Sequence, residues 1–211
     1  MGENTSGGSE RASETGTGLR LGETFPGARG ECLEDVHRGL CVQLGCGHKP
    51  WEGWINVDTR RVKDRATVYA DLMELPFKTD SVAVLAAIHV LEHFYVWDAP
   101  ALLWEWQRVL EPGGLLILEL PCLDKVMAYM KDCLEHGKPM LTQMTCWALW
   151  GDPRYQDISM CHKWGYTTYS LKALLDHVGF ASLKFEEPRY HVKPRDMRAL
   201  IRKGHHESLD Q

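Results

Sequence analysis

Val42-Gln43-Leu44 is a short apolar run that breaks into Gly45-Cys46-Gly47, and a second run, Trp54-Ile55-Asn56-Val57, ends on Asp58. A strand that stops at a glycine turn lets backbone approach a ligand closely, because glycine lacks Cβ and tolerates positive φ. An acidic residue at the tip of the next strand is placed to hydrogen-bond a ribose diol. This is the nucleotide-site arrangement of open α/β sheets, whose ligands lie outside the carboxyl ends of the strands. The dinucleotide pattern G-x-G-x-x-G is not met, since Pro50 stands where the third glycine belongs. That argues against a nicotinamide-dependent oxidoreductase.

A second group with chemical potential is His89, Glu92 and His93, which spell H-x-x-E-H. The spacing matches the inverted zincin metalloprotease motif, which needs both histidines on one helix face and a third ligand. Here the motif starts where an apolar run ends, so His89 belongs at a strand tip and the peptidase reading is disfavoured. Histidine is also the natural general base near neutral pH. His93 and His89 are the first candidates for that role, and His162 is the third.

The elements that must position these residues follow from hydrophobic pattern. Val82–Ile88 is continuously apolar, as a central parallel strand buried on both faces should be. The spacing of Leu102, Leu103, Trp106, Val109 and Leu110 predicts an amphipathic helix over Pro100–Leu110. Pro112-Gly113-Gly114 predicts a turn, and Leu115–Leu120 another buried strand. A helix is expected over Ser170–Val178, stopped by Gly179. Strands are expected at Thr67–Ala70, Ala181–Phe185 and Met197–Arg202. Such alternation argues for a mostly parallel sheet with helices on both faces. Only residues 45–53 separate the first two strands, fewer than the dozen or so that a crossover helix usually needs. The first crossover is therefore shortened to a loop or a single turn, with His48-Lys49-Pro50-Trp51 near the ligand mouth.

Composition bounds the rest. The 211 residues suit one domain with extras, and 44% hydrophobic and 25% charged residues are ordinary for a globular chain. The net charge of −5 does not favour a nonspecific nucleic-acid binder. Lys184–Lys203 is locally basic and reads as a solvated hairpin face. Seven cysteines without a C-x-x-C pair fit neither a disulfide framework nor a zinc ribbon, so reduced thiols in a cytoplasmic protein are expected. No apolar run approaches the roughly 18 residues of a membrane-spanning helix, and the N-terminus lacks the apolar core of a secretory signal. Residues 1–30, rich in Gly, Ser, Thr and Glu, read as a disordered leader, and Glu31–Arg38 as a short helix.

Five motifs in order carry a family resemblance: Leu44-Gly45-Cys46-Gly47, Gly53-Trp54-Ile55-Asn56-Val57-Asp58, Asp71-Leu72-x-x-Leu75-Pro76-Phe77, His89-Val90-Leu91-Glu92-His93, and Glu105-Trp106-x-Arg108-Val109-Leu110-x-Pro112-Gly113-Gly114. From about Cys41 to Arg202 the chain resembles the small class I S-adenosylmethionine-dependent methyltransferases, nearest to the small-molecule branch. The resemblance implies a Rossmann-like, doubly wound sheet of seven strands. It is mostly parallel, with the last strand inserted antiparallel between the fifth and sixth. It also implies a methyltransferase domain over 31–211. Gly45, Cys46 and Gly47 would line the methionine and ribose side of the cofactor. Asp58 would bind the ribose hydroxyls, Asp71 the adenine amino group, and the backbone of Leu72 the ring. His89 would face the sulfonium region. Gln43 stands where relatives often carry an acid.

The expected activity is methyl transfer from S-adenosylmethionine to a small-molecule or carbohydrate-like acceptor, at oxygen. Residues 123–165, with several aromatics, would form a substrate lid. No segment resembling D-P-P-Y follows the fourth strand, which disfavours methylation of base amino groups. The rival from another class is a non-catalytic regulatory module that binds the same cofactor. Some relatives of this fold bind a divalent metal through E-x-x-E-H and a later histidine. Here His89 replaces the first glutamate and His162 could be the later residue, so a metal is possible but not favoured. The alternative is that Glu92 and His93 cap a helix start.

Overall fold

The computed structural model describes residues 39–60 and 68–205. The expected leader, the expected helix at 31–38 and the first residue of the expected strand at 67 lie outside them. Seven strands form one sheet: β1 (Leu40–Leu44), β2 (Ile55–Asp58), β3 (Val68–Tyr69), β4 (Val82–Ile88), β5 (Leu110–Pro121), β6 (Ser182–Glu186) and β7 (Asp196–Arg202). Their spatial order is β3-β2-β1-β4-β5-β7-β6. All pairings are parallel except those of β7, which is antiparallel to both β5 and β6. This is the doubly wound, Rossmann-like topology expected from the sequence.

The order follows from burial. β4 is the most apolar strand and lies at the centre, between β1 and β5. α1 (Ala99–Val109) presents Leu102, Leu103, Trp106 and Val109 to the sheet, all fully buried. The Trp106 Nε1–H also donates to the Leu72 carbonyl at 3.0 Å, so the helix holds the loop after β3. α4 (Thr168–Val178) starts at a reciprocal cap in which Thr167 and Ser170 exchange side-chain and backbone hydrogen bonds. It ends at Gly179 in the left-handed conformation.

Three local expectations are corrected. The helix expected to reach Leu110 ends at Val109, and Leu110 already pairs with Val82 in β5. Pro112-Gly113-Gly114 is not a turn between elements but an irregularity inside β5, where the register against β4 slips. Gly113 and Gly114 there bond to Lys203, beyond the end of β7. Glu92 and His93 do not cap a helix; they lie in a single 3-10 turn, Leu91–His93, and α1 begins after Asp98.

The first crossover contains no helix, as expected. It is closed instead by two buried amides. Gln43 Oε1 and Asn56 Oδ1 both accept from the Trp51 N–H, at 2.9 and 2.8 Å. Their amide nitrogens donate to the carbonyls of Lys49, Trp51 and Trp54. The Trp51 and Trp54 rings pack edge to face, and Trp54 covers the sheet face at Ala83, Val84 and Ala86.

Replacing Trp106 removes a filled core volume and the partner of Leu72. Trp106→Ala should cost about 3–5 kcal/mol in chemical denaturation. An unchanged midpoint would contradict its place in the core.

Candidate functional site

The carboxyl ends of β1 and β2 meet in a tight knot of backbone and carboxylate. Gly45 and Gly47 both have positive φ, +60° and +51°. A Cβ on Gly45 would come within 2.6 Å of Val90, whereas one on Gly47 would meet nothing within 4 Å. Gly45 is therefore fixed by packing, and Gly47 borders open space. Asp58 is buried, and its two oxygens accept from the Gly47 N–H at 2.8 Å and the Arg60 N–H at 2.9 Å. Cys46 between the glycines is buried, and its N–H donates to the Val57 carbonyl. Burial, with the Asp58 charge adding to it, pushes its thiol up to about 11, so it is no nucleophile at neutral pH.

Asp71 lies past β3 at the same edge, exposed, with its carboxylate accepting from the Met73 N–H. Leu72 is buried, and its carbonyl is taken by Trp106. The structure thus brings Gly45, Cys46, Gly47, Asp58, Asp71 and Leu72 to one end of the sheet. Gln43, at the position where relatives often carry an acid, has its oxygen engaged with the Trp51 N–H.

His89 follows β4 with φ +55°, a backbone region that non-glycine residues rarely occupy. Its N–H donates to the Glu119 carbonyl at 2.7 Å. Its ring sits between two buried carboxylates. Nε2 lies 2.9 Å from Asp196 Oδ2 in a hydrogen bond. Nδ1 lies 2.7 Å from Glu92 Oε1, a close ion-pair contact that is poorly aligned as a hydrogen bond. Burial disfavours the charge on His89, but Glu92 and Asp196 outweigh it and hold the pKa up at about 9. Burial likewise pushes Glu92 up, yet the His89 cation and the histidines beyond hold it down at about 2. At neutral pH His89 is an imidazolium between two carboxylates.

His93 and His162 stand on the other side of Glu92, with ring centroids 4.9 Å apart. Each places Nδ1 on a backbone carbonyl, of Cys161 at 3.2 Å and of Ala148 at 2.8 Å. A carbonyl can only accept, so Nδ1 carries a proton in both rings, and in the neutral form of either ring Nε2 is the acceptor. Burial lowers the pKa of His162, which favours its neutral form. One ring nitrogen of each histidine and a Glu92 oxygen lie within 4.8 Å of one another. Glu92 Oε2 is buried and has no hydrogen-bond partner among the described residues.

Sequence reasoning missed the acids that organise this edge from afar. Asp196, fully buried at the start of β7, accepts from His89, the Arg195 guanidinium and the Val192 N–H. Burial would raise its pKa, but His191, His89 and Arg195 hold it well below the ordinary carboxylate range. Glu119, fully buried near the end of β5, accepts the N–H groups of Arg189, Tyr190 and His191. Arg195 and Arg198 are also buried, so the 184–203 stretch is not simply a solvated face. An apolar strand interrupted by one acid, as at Glu119, was the available signal.

The methyltransferase-domain family matches residues 42–118. Solved structures agree over more of the chain. An S-adenosylmethionine-dependent methyltransferase from Archaeoglobus fulgidus is 15% identical, with a TM-score of 0.55 over 80% of this chain and 87% of that one. One from Methanosarcina mazei is 15% identical, with a TM-score of 0.53 over 82% and 96%. One from Mesorhizobium loti is 17% identical, with a TM-score of 0.50 over 78% and 90%. The chain has the class I S-adenosylmethionine-dependent methyltransferase fold. No match was found among curated proteins. The open end of this methyltransferase fold is the edge that carries Gly47, Asp58 and Asp71. No helix among the described residues is long and apolar enough to cross a membrane. The six described cysteines are all unpaired.

His89 gives the fold a pH dependence with a definite sign. Its folded pKa lies above the ordinary imidazole value, so its contribution is complete below about 6.5 and is lost as pH rises through about 9. In metal-free protein, stability should fall by on the order of 2 kcal/mol across that window. His89→Asn, which tolerates the positive φ, should flatten the slope. An equal slope in wild type and variant in urea titrations would contradict the ion-paired assignment.

Proposed function

We propose that this chain transfers a methyl group from S-adenosylmethionine to a small-molecule or carbohydrate-like acceptor, at oxygen. The observation that carries the reading is the buried carboxylate of Asp58, held by two backbone N–H groups beside the open cradle at Gly47. The residues at this edge fit the cofactor. Gly47 leaves room for it, Asp58 would hold the ribose, and Asp71 with Leu72 would border the adenine. Gly45 and Cys46 would shape the turn beneath it. When bound, S-adenosylmethionine supplies a methyl group on a cationic sulfur, already activated for displacement.

The chain's own task is then to place the acceptor, exclude water and remove a proton. His162 and His93 are assigned the proton, since each keeps Nε2 free with Nδ1 fixed on a carbonyl. His89, paired on both ring nitrogens, is assigned to positioning at the tip of β4. Residues 123–165 form the lid. They begin with α2 (Leu123–His136) and α3 (Cys146–Trp150) and continue to a 3-10 turn at Ile158–Met160. Arg60, two residues past Asp58, reaches Asp157 at 3.0 Å and the Met160 sulfur at 3.4 Å, which ties the lid to the ribose side. Trp150 and Tyr155 stay exposed on the lid, while Tyr166 beyond it is core.

A second reading adds a divalent metal at Glu92, His93 and His162. It is favoured by three acceptors converging on one place: an unpartnered buried carboxylate oxygen and two imidazoles whose other nitrogens are already fixed. Backbone carbonyls on the second nitrogen are the usual orientation of metal-bound histidine. A metal there would polarise an acceptor oxygen.

The test is turnover. Chelator-treated protein with S-adenosylmethionine and a panel of hydroxylated acceptors should form S-adenosylhomocysteine, at a rate lowered roughly 100-fold or more in His162→Ala. Activity that appears only on adding Zn²⁺ or Mn²⁺ would select the metal-dependent reading. Cofactor binding without product, under every metal condition, would make the chain a regulatory module instead.

A further inference from the structure

The open end of the sheet carries a groove of about 510 Å³ that the cofactor assignment does not use. It is lined by Lys49 after β1, by Tyr190, His191 and Lys193 in the β6–β7 loop, and by Gln143 in the lid. We propose that this groove binds an anionic group, a carboxylate or a phosphate, of the methyl acceptor; the acceptor part of this statement rests on the methyltransferase reading.

The argument begins with charge. The chain is net negative, at −5, and five of its described lysines are already matched. Lys131, Lys138, Lys172, Lys184 and Lys203 each sit within 4.0 Å of a carboxylate. Lys49 and Lys193 have no acidic partner among the described residues, and no aspartate or glutamate lines the groove. Two unmatched cations facing one concavity on an acidic protein focus a positive potential there.

The backbone under both lysines is fixed before any ligand arrives. The Lys49 N–H donates to the Cys46 carbonyl, and its own carbonyl accepts from Gln43. Lys193 precedes Pro194, which restricts its backbone. The loop around it hangs on Glu119, through the N–H groups of Tyr190 and His191, and on Asp196, through that of Val192. A pinned loop loses little entropy on binding. Tyr190 stacks on Trp51, which supplies an aromatic wall. His191 packs on His89 with ring centroids 4.3 Å apart, which joins the groove to the tip of β4. An acceptor held by its anion at Lys49 and Lys193 would extend toward that tip.

The full chain, with and without saturating S-adenosylhomocysteine, is titrated with inorganic phosphate, with benzoate and with benzamide, the neutral counterpart of benzoate. Tryptophan fluorescence and calorimetry report binding. At least one anion should bind saturably and benzamide roughly tenfold more weakly or not at all. Lys49→Met and Lys193→Met should each weaken the anion by roughly fivefold, and the double variant by more, with the melting temperature unchanged. Phosphate alone would mark a phosphorylated acceptor, benzoate alone a carboxylated one. Benzamide binding as tightly as benzoate, anion binding untouched in the double variant, or no anion binding by folded protein would each overturn the proposal. The S-adenosylhomocysteine isotherm separates the two ideas: protein that binds it but no anion keeps the methyltransferase reading and loses the groove, and the converse loses the reading and keeps the groove.

Discussion

The imidazolium of His89, held between Glu92 and Asp196, is the contact on which the open end of this sheet depends. Its backbone lies just beyond β4, its N–H reaches Glu119 in β5, and Asp196 opens β7. One residue therefore ties three neighbouring strands at their functional ends. With this positive φ the ring reaches past β5 to Asp196 at the start of β7. Backbone strain of this kind persists only where its surroundings over-determine it. Here a hydrogen bond, an ion pair and a backbone bond supply that. Removing either carboxylate would leave a buried charge unbalanced, which is more costly than the pair itself is stabilising.

From this clamp the two halves of the site are organised differently. On the β1–β2 side, short-range contacts do the positioning: Gly45 against Val90, Asp58 on the N–H groups of Gly47 and Arg60, and two amides closing the helix-less crossover. On the β5–β7 side, buried acids hold a loop by its backbone. Glu119 gathers three successive N–H groups, and Asp196 a fourth. Backbone held this way keeps its shape whatever the side chains carry, so Tyr190, His191 and Lys193 line the groove from a fixed loop.

That difference also explains what could be read from the sequence. The separate strands, a mostly parallel sheet and the shortened crossover were legible because apolar runs, glycines and spacing are local signals, whereas the place of the antiparallel last strand was implied only by the family resemblance. The Gly45–Asp58 arrangement was legible for the same reason. The partners of His89 were not: Glu92 is three residues away, but Asp196 is 107 residues away, in a stretch whose basic residues suggested solvent. The role of Glu119 was hidden by its position inside an apolar strand. Pro112-Gly113-Gly114 misled because a turn signal and a strand irregularity share the same residues, and only the pairing with Lys203 distinguishes them. The histidines were picked out by type, yet their division into one clamp between carboxylates and two rings anchored through Nδ1 depends on the distant carbonyls of Ala148 and Cys161.

The central claim is that Asp58 and Gly47 mark a cofactor site. Calorimetric titration of S-adenosylhomocysteine into metal-free full-length protein, beside Asp58→Ala, tests it most directly. The account predicts stoichiometric binding with a Kd on the order of micromolar, lost or weakened at least tenfold in a variant that still folds. A well-folded wild type that binds nothing, or an Asp58→Ala variant that binds as tightly as wild type, would contradict it.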